Sequence, residues 1–285
     1  MIFGLPDSIR GILWMMGSMA SWACMAAVAR YLSGDIHTFE IVFFRSIFGA
    51  IFLVPWLCKA GVSGIKTHRI GMHMVRGLVG LAVIYLLFAA IAQAPLGEIA
   101  AIMSTRPLVA SLGAILILHE VAHGRRWTAT IIGFVGALLI IRPGFSEVSV
   151  GVILALIAVI GMATLTIVMK SLARTEAPDT IVVWQMVVFT PCSLIPAIFV
   201  WQMPDTWQFL LLASTGLFGT LVQRCLTRAY AAADATVVLP FDFTRLVFAA
   251  FLGWILFQEF PDIWVWAGGL IILIGVLWMT RLEAK

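Results

Sequence analysis

Four charged residues stand inside stretches otherwise apolar enough to cross a bilayer: Arg45, Arg106, Asp242 and Arg245. A charge at the centre of a bilayer costs about 2.5–17 kcal/mol, so such residues are rare and are expected either to act on a substrate or to hold one another. Asp242 and Arg245 are three residues apart, on one helix face, and can pair. Guanidinium groups bind carboxylates and phosphates through two parallel hydrogen bonds. A water-filled cavity lined by Arg45, Arg106, Arg245 and Asp242 is net positive and suits a carboxylate, a phosphate or a zwitterion. Pro107 and Pro240 remove backbone hydrogen bonds beside these charges, which leaves carbonyls for substrate or water. The competing reading is structural. The charges then pair with one another or with carbonyls and keep helices in register, with Glu40 as the partner of Arg45.

Aromatic and amide side chains form a second rank of cavity candidates: Trp22, Tyr85, Trp184, Gln185 and Gln223. They offer stacking or hydrogen bonds to a substrate ring. Tryptophan in a membrane chain is more often an interfacial anchor or packing, and Trp201, Trp207 and Trp264 read that way. Asp242 is committed to Arg245, so Glu40 is the expected group for any proton coupling.

His119-Glu120-Val121-Ala122-His123 is a literal HExxH, the zinc-protease pattern. Its counterpart later in the chain reads Gln258-Glu259-Phe260-Pro261-Asp262, where the glutamate recurs and both histidines are gone. The glutamate is thus accounted for as a helix-end feature, and no third zinc ligand is evident. An intramembrane zinc hydrolase remains the alternative from another class. No GxSxG, P-loop or glycine-rich dinucleotide motif is present. The expectation is a protein that is not an enzyme, with no cofactor and no metal.

These residues need helices to place them. The chain of 285 residues is 62% hydrophobic and 11% charged, with a mean hydropathy of +1.07. Soluble domains carry about 25% charged residues, so the solvent here must be lipid. Ten apolar spans are expected, near 11–30, 38–58, 73–93, 97–118, 127–142, 150–170, 180–201, 207–229, 235–257 and 263–281. The first is read as a retained helix, for want of a small-residue cleavage site. Cys24, Cys58, Cys192 and Cys225 form no CxxC and read as free thiols. The basic residues are spread through short loops, which argues against nucleic acid. Placing the N-terminus inside puts Arg10, Lys59, Lys66, Arg69, Arg76, Arg125, Arg126, Lys170, Arg174, Arg224, Arg228, Arg281 and Lys285 at the cytoplasmic face, against Arg30 and Arg142 outside. Both termini are then cytoplasmic, in a multi-pass protein of the inner membrane.

The spans repeat. The 139-residue step from Arg106 to Arg245 also carries Glu120 onto Glu259, Trp127 onto Trp266 and Gly136 onto Gly275. Five spans per half is an odd number, so residues 1–145 and 146–285 are expected to be inverted five-helix repeats around a central cavity. The fold class is all-α membrane protein. Arg106 and Arg245 lie roughly 14 and 15 Å into their spans at about 1.5 Å per residue, near the midplane from opposite sides. Spans five and ten hold glycines (Gly133, Gly136, Gly268, Gly269, Gly275) and no interior charge, so they read as outer supports.

The stretches Phe39–Pro55 (FEIVFFRSIFGAIFLVP), Arg76-Gly77, Leu116–Glu120 (LILHE) and Ala233–Asp262 together resemble the EamA family of the drug/metabolite transporter superfamily, in its ten-helix form. The resemblance covers essentially the whole chain. It implies a basket of inverted repeats in which spans one to four and six to nine line the cavity. It also implies secondary transport of a small organic metabolite by alternating access, anionic or zwitterionic such as an amino acid or nucleotide-like compound. A neutral-ring metabolite such as riboflavin is the alternative within that class. Arg45 in FFR and Asp242 and Arg245 in PFDFTR carry the match, whereas Arg106 rests on the internal repeat alone. The expected partners are a small-molecule substrate and the lipid bilayer, with a homodimer left open and nucleic acid excluded.

Overall fold

In a computed structural model the structure describes residues 6–60, 67–106, 109, 128, 131–132, 135–136, 138–140, 149–173, 175–176, 178–233 and 239–283. Among them there is no strand. The helices are α1 (Asp7–Leu32), α2 (Thr38–Ala60), α3 (Ile70–Gln93), α4 (Leu96–Met103), α5 (Val150–Ala173), α6 (Pro178–Ile198), α7 (Thr206–Ala232), α8 (Thr244–Phe257) and α9 (Ile263–Glu283). A 3-10 turn, Leu239–Phe243, leads into α8. The described residues between 131 and 140 are helical as well. In hydrocarbon every backbone N–H and C=O must be satisfied within the segment, which is why long apolar sequence becomes helix.

Among the described residues five helices are long and apolar enough to cross a membrane, at Asp7–Leu32, Thr38–Pro55, Ile70–Gln93, Thr180–Ile198 and Thr206–Ala229. Val150–Leu165 and Ile263–Gly275 are shorter apolar helices. Large apolar side chains point outward along α5, where Ile153, Ile157 and Ile160 are all exposed. In water that stripe is a liability, whereas against lipid it is the ordinary outer face. Pro55 in α2 and Pro191 and Pro196 in α6 sit inside helices, as membrane helices tolerate. A capping box starts α7: Gln208 N–H donates to Asp205 Oδ1 at 2.7 Å, and Asp205 N–H donates to Gln208 Oε1 at 3.0 Å.

The arrangement is interleaved. α1 packs most extensively against α7 and then α8, α2 against α6 and α7, and α3 against α5. Each of these contacts joins the first part of the chain to the second. Glycines permit the closest approaches. A Cβ on Gly216 of α7 would lie 2.9 Å from the Gly49 nitrogen of α2. A Cβ on Gly136 would lie 2.8 Å from the Gly268 carbonyl of α9, which places the two expected supports side by side. Buried aliphatic residues of α1 to α5 and α8 form one continuous cluster.

Two helices break where the charges sit. α4 ends at Met103, and Ser104 and Thr105 form a turn before Arg106, with Thr105 N–H donating to Ile102 O at 3.0 Å. The span expected at 235–257 is likewise no single helix: the 3-10 turn holds Asp242, and α8 begins two residues later.

Candidate functional site

The two breaks meet. Arg106 Nη2 donates to Asp242 Oδ1 at 3.2 Å, and Arg245 Nη2 donates to the same oxygen at 3.1 Å. Asp242 and Arg245 are 2% and 3% exposed, and the Arg106 side chain is 15% exposed. Desolvating an ion is offset only by a close, hydrogen-bonded partner, so the shared carboxylate holds both cations where they are. Asp242 Oδ2 has no hydrogen-bond partner among the described residues. The Arg245 guanidinium carbon lies 4.7 Å from the centroid of the Trp22 ring on α1, within cation–π range. Its Nη2 also lies 3.5 Å from the Met19 sulfur.

Arg45 is on α2 and 5% exposed. Its Nε points at the Met25 sulfur of α1 at 3.3 Å, and a Cβ on Gly219 of α7 would come within 3.0 Å of that nitrogen. Met19, Trp22 and Met25 follow at three-residue intervals on α1, about 4.5 Å of rise each. The Arg45 and Arg245 guanidiniums therefore lean on the same helix about one turn apart. Glu40 does not pair with Arg45. It is fully buried, its Oε2 accepts from Gln202 N–H at 3.2 Å, and its Oε1 has no partner among the described residues. Five residues on a helix is about 500° of rotation, which puts Glu40 and Arg45 on different faces.

The remaining sequence candidates stand apart from this cluster among the described contacts. Tyr85 packs edge-on against Phe39, with its hydroxyl 3.5 Å from Ser193 O. Gln185 on α6 is 8% exposed, with Oε1 unsatisfied among the described residues. Trp184 stacks on His73 at 5.6 Å. A cavity of about 350 Å³ between α2 and α6, lined by Ile47, Leu53, Val183, Met186 and Thr190 among others, contains none of these candidates. His119, Glu120 and His123, together with Pro107, lie outside the described residues. Among the described residues no group of His, Cys, Asp or Glu is placed to hold a metal, and all four cysteines are free.

One constellation was missed by the sequence reading. Arg30, in the last turn of α1, forms an ion pair with Glu259, just beyond α8. Glu259 Oε2 also accepts from Leu96 N–H at 3.0 Å, and Arg30 donates to the Ile91 carbonyl at 2.8 Å and to that of Ala94. Phe257 lies under the guanidinium at 5.4 Å. Gln258, in the left-handed conformation at φ 56°, turns the chain so that Glu259 faces back. The signal was the position of both residues at span ends, but nothing in the sequence said that those ends meet.

Apolar spanning helices around a buried charged cluster at two helix breaks mark a multi-pass membrane protein. The model of the EamA-like transporter family matches residues 9–142 and again 149–281, and the chain belongs to that family. It is 31% identical over 282 residues to a riboflavin transporter of Vibrio cholerae, covering 97% of this chain and 95% of the relative. It is 27% identical over 281 residues to an S-adenosylmethionine uptake transporter of Rickettsia prowazekii, covering 99% and 96%. A pseudopaline exporter of Pseudomonas aeruginosa is 28% identical over 276 residues, covering 95% and 96%. A protein of known crystal structure, 15% identical, superposes with a TM-score of 0.69 over 96% of this chain and 97% of its own, a likeness of fold. The protein is thus a small-metabolite transporter and not an enzyme.

Proposed function

We propose that the chain is a secondary transporter of the inner membrane that moves a small organic metabolite, anionic or zwitterionic, by alternating access. Residues 1–145 and 146–285 act as inverted five-helix halves with both termini cytoplasmic. Ten spans are the count this reading requires. The observation that carries it is the Arg106–Asp242–Arg245 triad. It joins a break in each half, is buried in apolar surroundings, and sits against Trp22. Charged groups at discontinuous helices near the midplane are where such transporters bind substrate. Asp242 fixes the two guanidiniums before substrate arrives, and Trp22 supplies an aromatic wall beside them. The double match of the family model supports the two-half organisation. A second reading, a neutral ring such as riboflavin held by aromatics, is favoured by the relative of that name and by the position of Trp22.

Ligand-induced thermal stabilisation separates the two. Wild type is melted beside Arg106→Ala and Arg245→Ala with amino acids, S-adenosylmethionine, organic anions and riboflavin. A ligand of the native state stabilises by about 2.7 kcal/mol at a hundredfold excess over Kd. An anion or zwitterion that stabilises wild type and neither variant supports the triad site. Riboflavin stabilising all three equally transfers the site to the aromatics.

A further inference from the structure

Arg106 and Arg245 of the triad share one carboxylate, and Arg45 is a further buried cation close by. Arg45 stands within a spanning helix, and among the described residues no carboxylate pairs with it. Its contact is the Met25 thioether, a neutral and weak acceptor. Its Nη1 has no hydrogen-bond partner among the described residues. Arginine stays protonated in proteins, so the charge cannot be shed. By contrast, Arg106 and Arg245 share Asp242, and Arg30 has Glu259. Yet Arg45 is held in place: Gly219 gives its guanidinium a flat seat on α7, where a side chain would collide at 3.0–3.1 Å with Nε and Nη2. A fixed cation with an unsatisfied donor edge, one helical turn from the triad along α1, is the form an anion receptor takes.

We infer that Arg45 is the anion-recognition residue of the transport site, and that its counter-ion is a carboxylate or phosphate of the transported metabolite. The inference rests on the transporter reading above and narrows it: the substrate is an organic anion that reaches from Arg45 to the Trp22–Arg245 wall. Within that reading, Arg45 sets specificity, and the triad closes the far end of the site.

The assignment separates from a packing role by sign. A receptor charge that waits for its partner destabilises the empty protein, so removing it stabilises, whereas a structural arginine destabilises when removed. Purified wild type, Arg45→Met, Arg45→Lys and Arg245→Ala are melted in one detergent at constant ionic strength. Each is melted in chloride alone and with glutamate, succinate or inorganic phosphate. The expected result is that at least one probe raises the wild-type midpoint. Arg45→Met melts higher than wild type without a probe and loses the response. Arg45→Lys keeps a response at an affinity about tenfold weaker, having lost the two-pronged contact. The assignment is overturned if Arg45→Met melts lower than wild type or does not fold, if it keeps the wild-type response, or if none of the three probes shifts wild type. If Arg45→Met keeps the response while Arg245→Ala loses it, Arg45 is packing and the triad site survives. If both variants keep it, the triad reading falls as well.

Discussion

Replacing Glu259 with glutamine keeps the shape of the side chain and removes the charge that ties α1 to the end of α8. The glutamine oxygen still accepts from Leu96 N–H, now 3.0 Å from Glu259 Oε2. What is lost is the ion pair with Arg30, whose side chains are only 21% and 16% exposed. A charge-assisted hydrogen bond is worth about 1.5–3 kcal/mol, and Arg30 keeps its two carbonyl acceptors, so about 2 kcal/mol is the expected loss. At about 2–4 °C per kcal/mol for a chain near this size, the midpoint falls by roughly 4–8 °C. The assay is thermal unfolding of detergent-purified wild type, Glu259→Gln, Arg30→Gln and the double variant at one scan rate. If the two residues act through each other, the double variant melts well above the additive expectation, with a coupling of about 1–2 kcal/mol. Additive shifts, or a Glu259→Gln midpoint within a degree of wild type, refute the reasoning.

Three further perturbations test the geometry. Asp242→Asn leaves two cations around a neutral amide, and breaking a buried pair of this kind costs about 3–5 kcal/mol, so a large drop in melting midpoint is expected. Gly216→Ala drives a methyl to 2.9 Å from the Gly49 nitrogen, where backbone cannot yield, and overpacking costs about 1–3 kcal/mol. Gly49→Ala meets the Met186 sulfur and Thr220 hydroxyl at 3.3 and 3.4 Å and the Gly216 carbonyl at an ordinary 3.8 Å, and should melt closer to wild type. Gln258→Gly relieves a left-handed backbone that costs an L-residue about 1–2 kcal/mol, more than the about 0.4–1 kcal/mol lost to the freer unfolded chain, so it should raise the midpoint.

The helices were legible because hydrocarbon leaves the backbone no alternative and writes that demand into composition. The span expected at 38–58 is α2 at Thr38–Ala60, and the one at 207–229 is α7 at Thr206–Ala232. The Asp242–Arg245 contact was legible from the three-residue spacing, although Asp242 sits in the 3-10 turn and not on α8, and Arg106 was drawn to it by the internal step alone. Arg45 went wrong in its partner for the opposite reason: Glu40 is near in sequence but turned away by the helix, and the real neighbours Met25 and Gly219 carry no charge to advertise themselves. The Arg30–Glu259 contact was illegible because it joins residues at the ends of spans far apart in the chain, where only the packing of α1 against α8 makes them neighbours.

That packing gives α1 its particular place. Its buried residues, among them Met15, Ser18, Met19, Trp22, Met25, Ala26 and Ala29, cover one broad face, while Leu13 and Tyr31 on the other side are exposed. The alanines allow a close approach by α7, and Ser18 Oγ donates across that contact to Val222 O at 2.9 Å. Along this one helix lie Met19 and Trp22 against Arg245, then Met25 against Arg45, then Arg30 against Glu259. From Met19 to Arg30 the rise is about 16 Å, so the triad wall, the unmatched arginine and the end latch share a single rigid element. α1 belongs to the first half of the chain, yet its heaviest contacts are with α7 and α8 of the second. Any relative motion of the halves must therefore break or remake contacts on α1. The ion pair at its end is the one whose loss leaves the Arg45 and Arg245 seats intact.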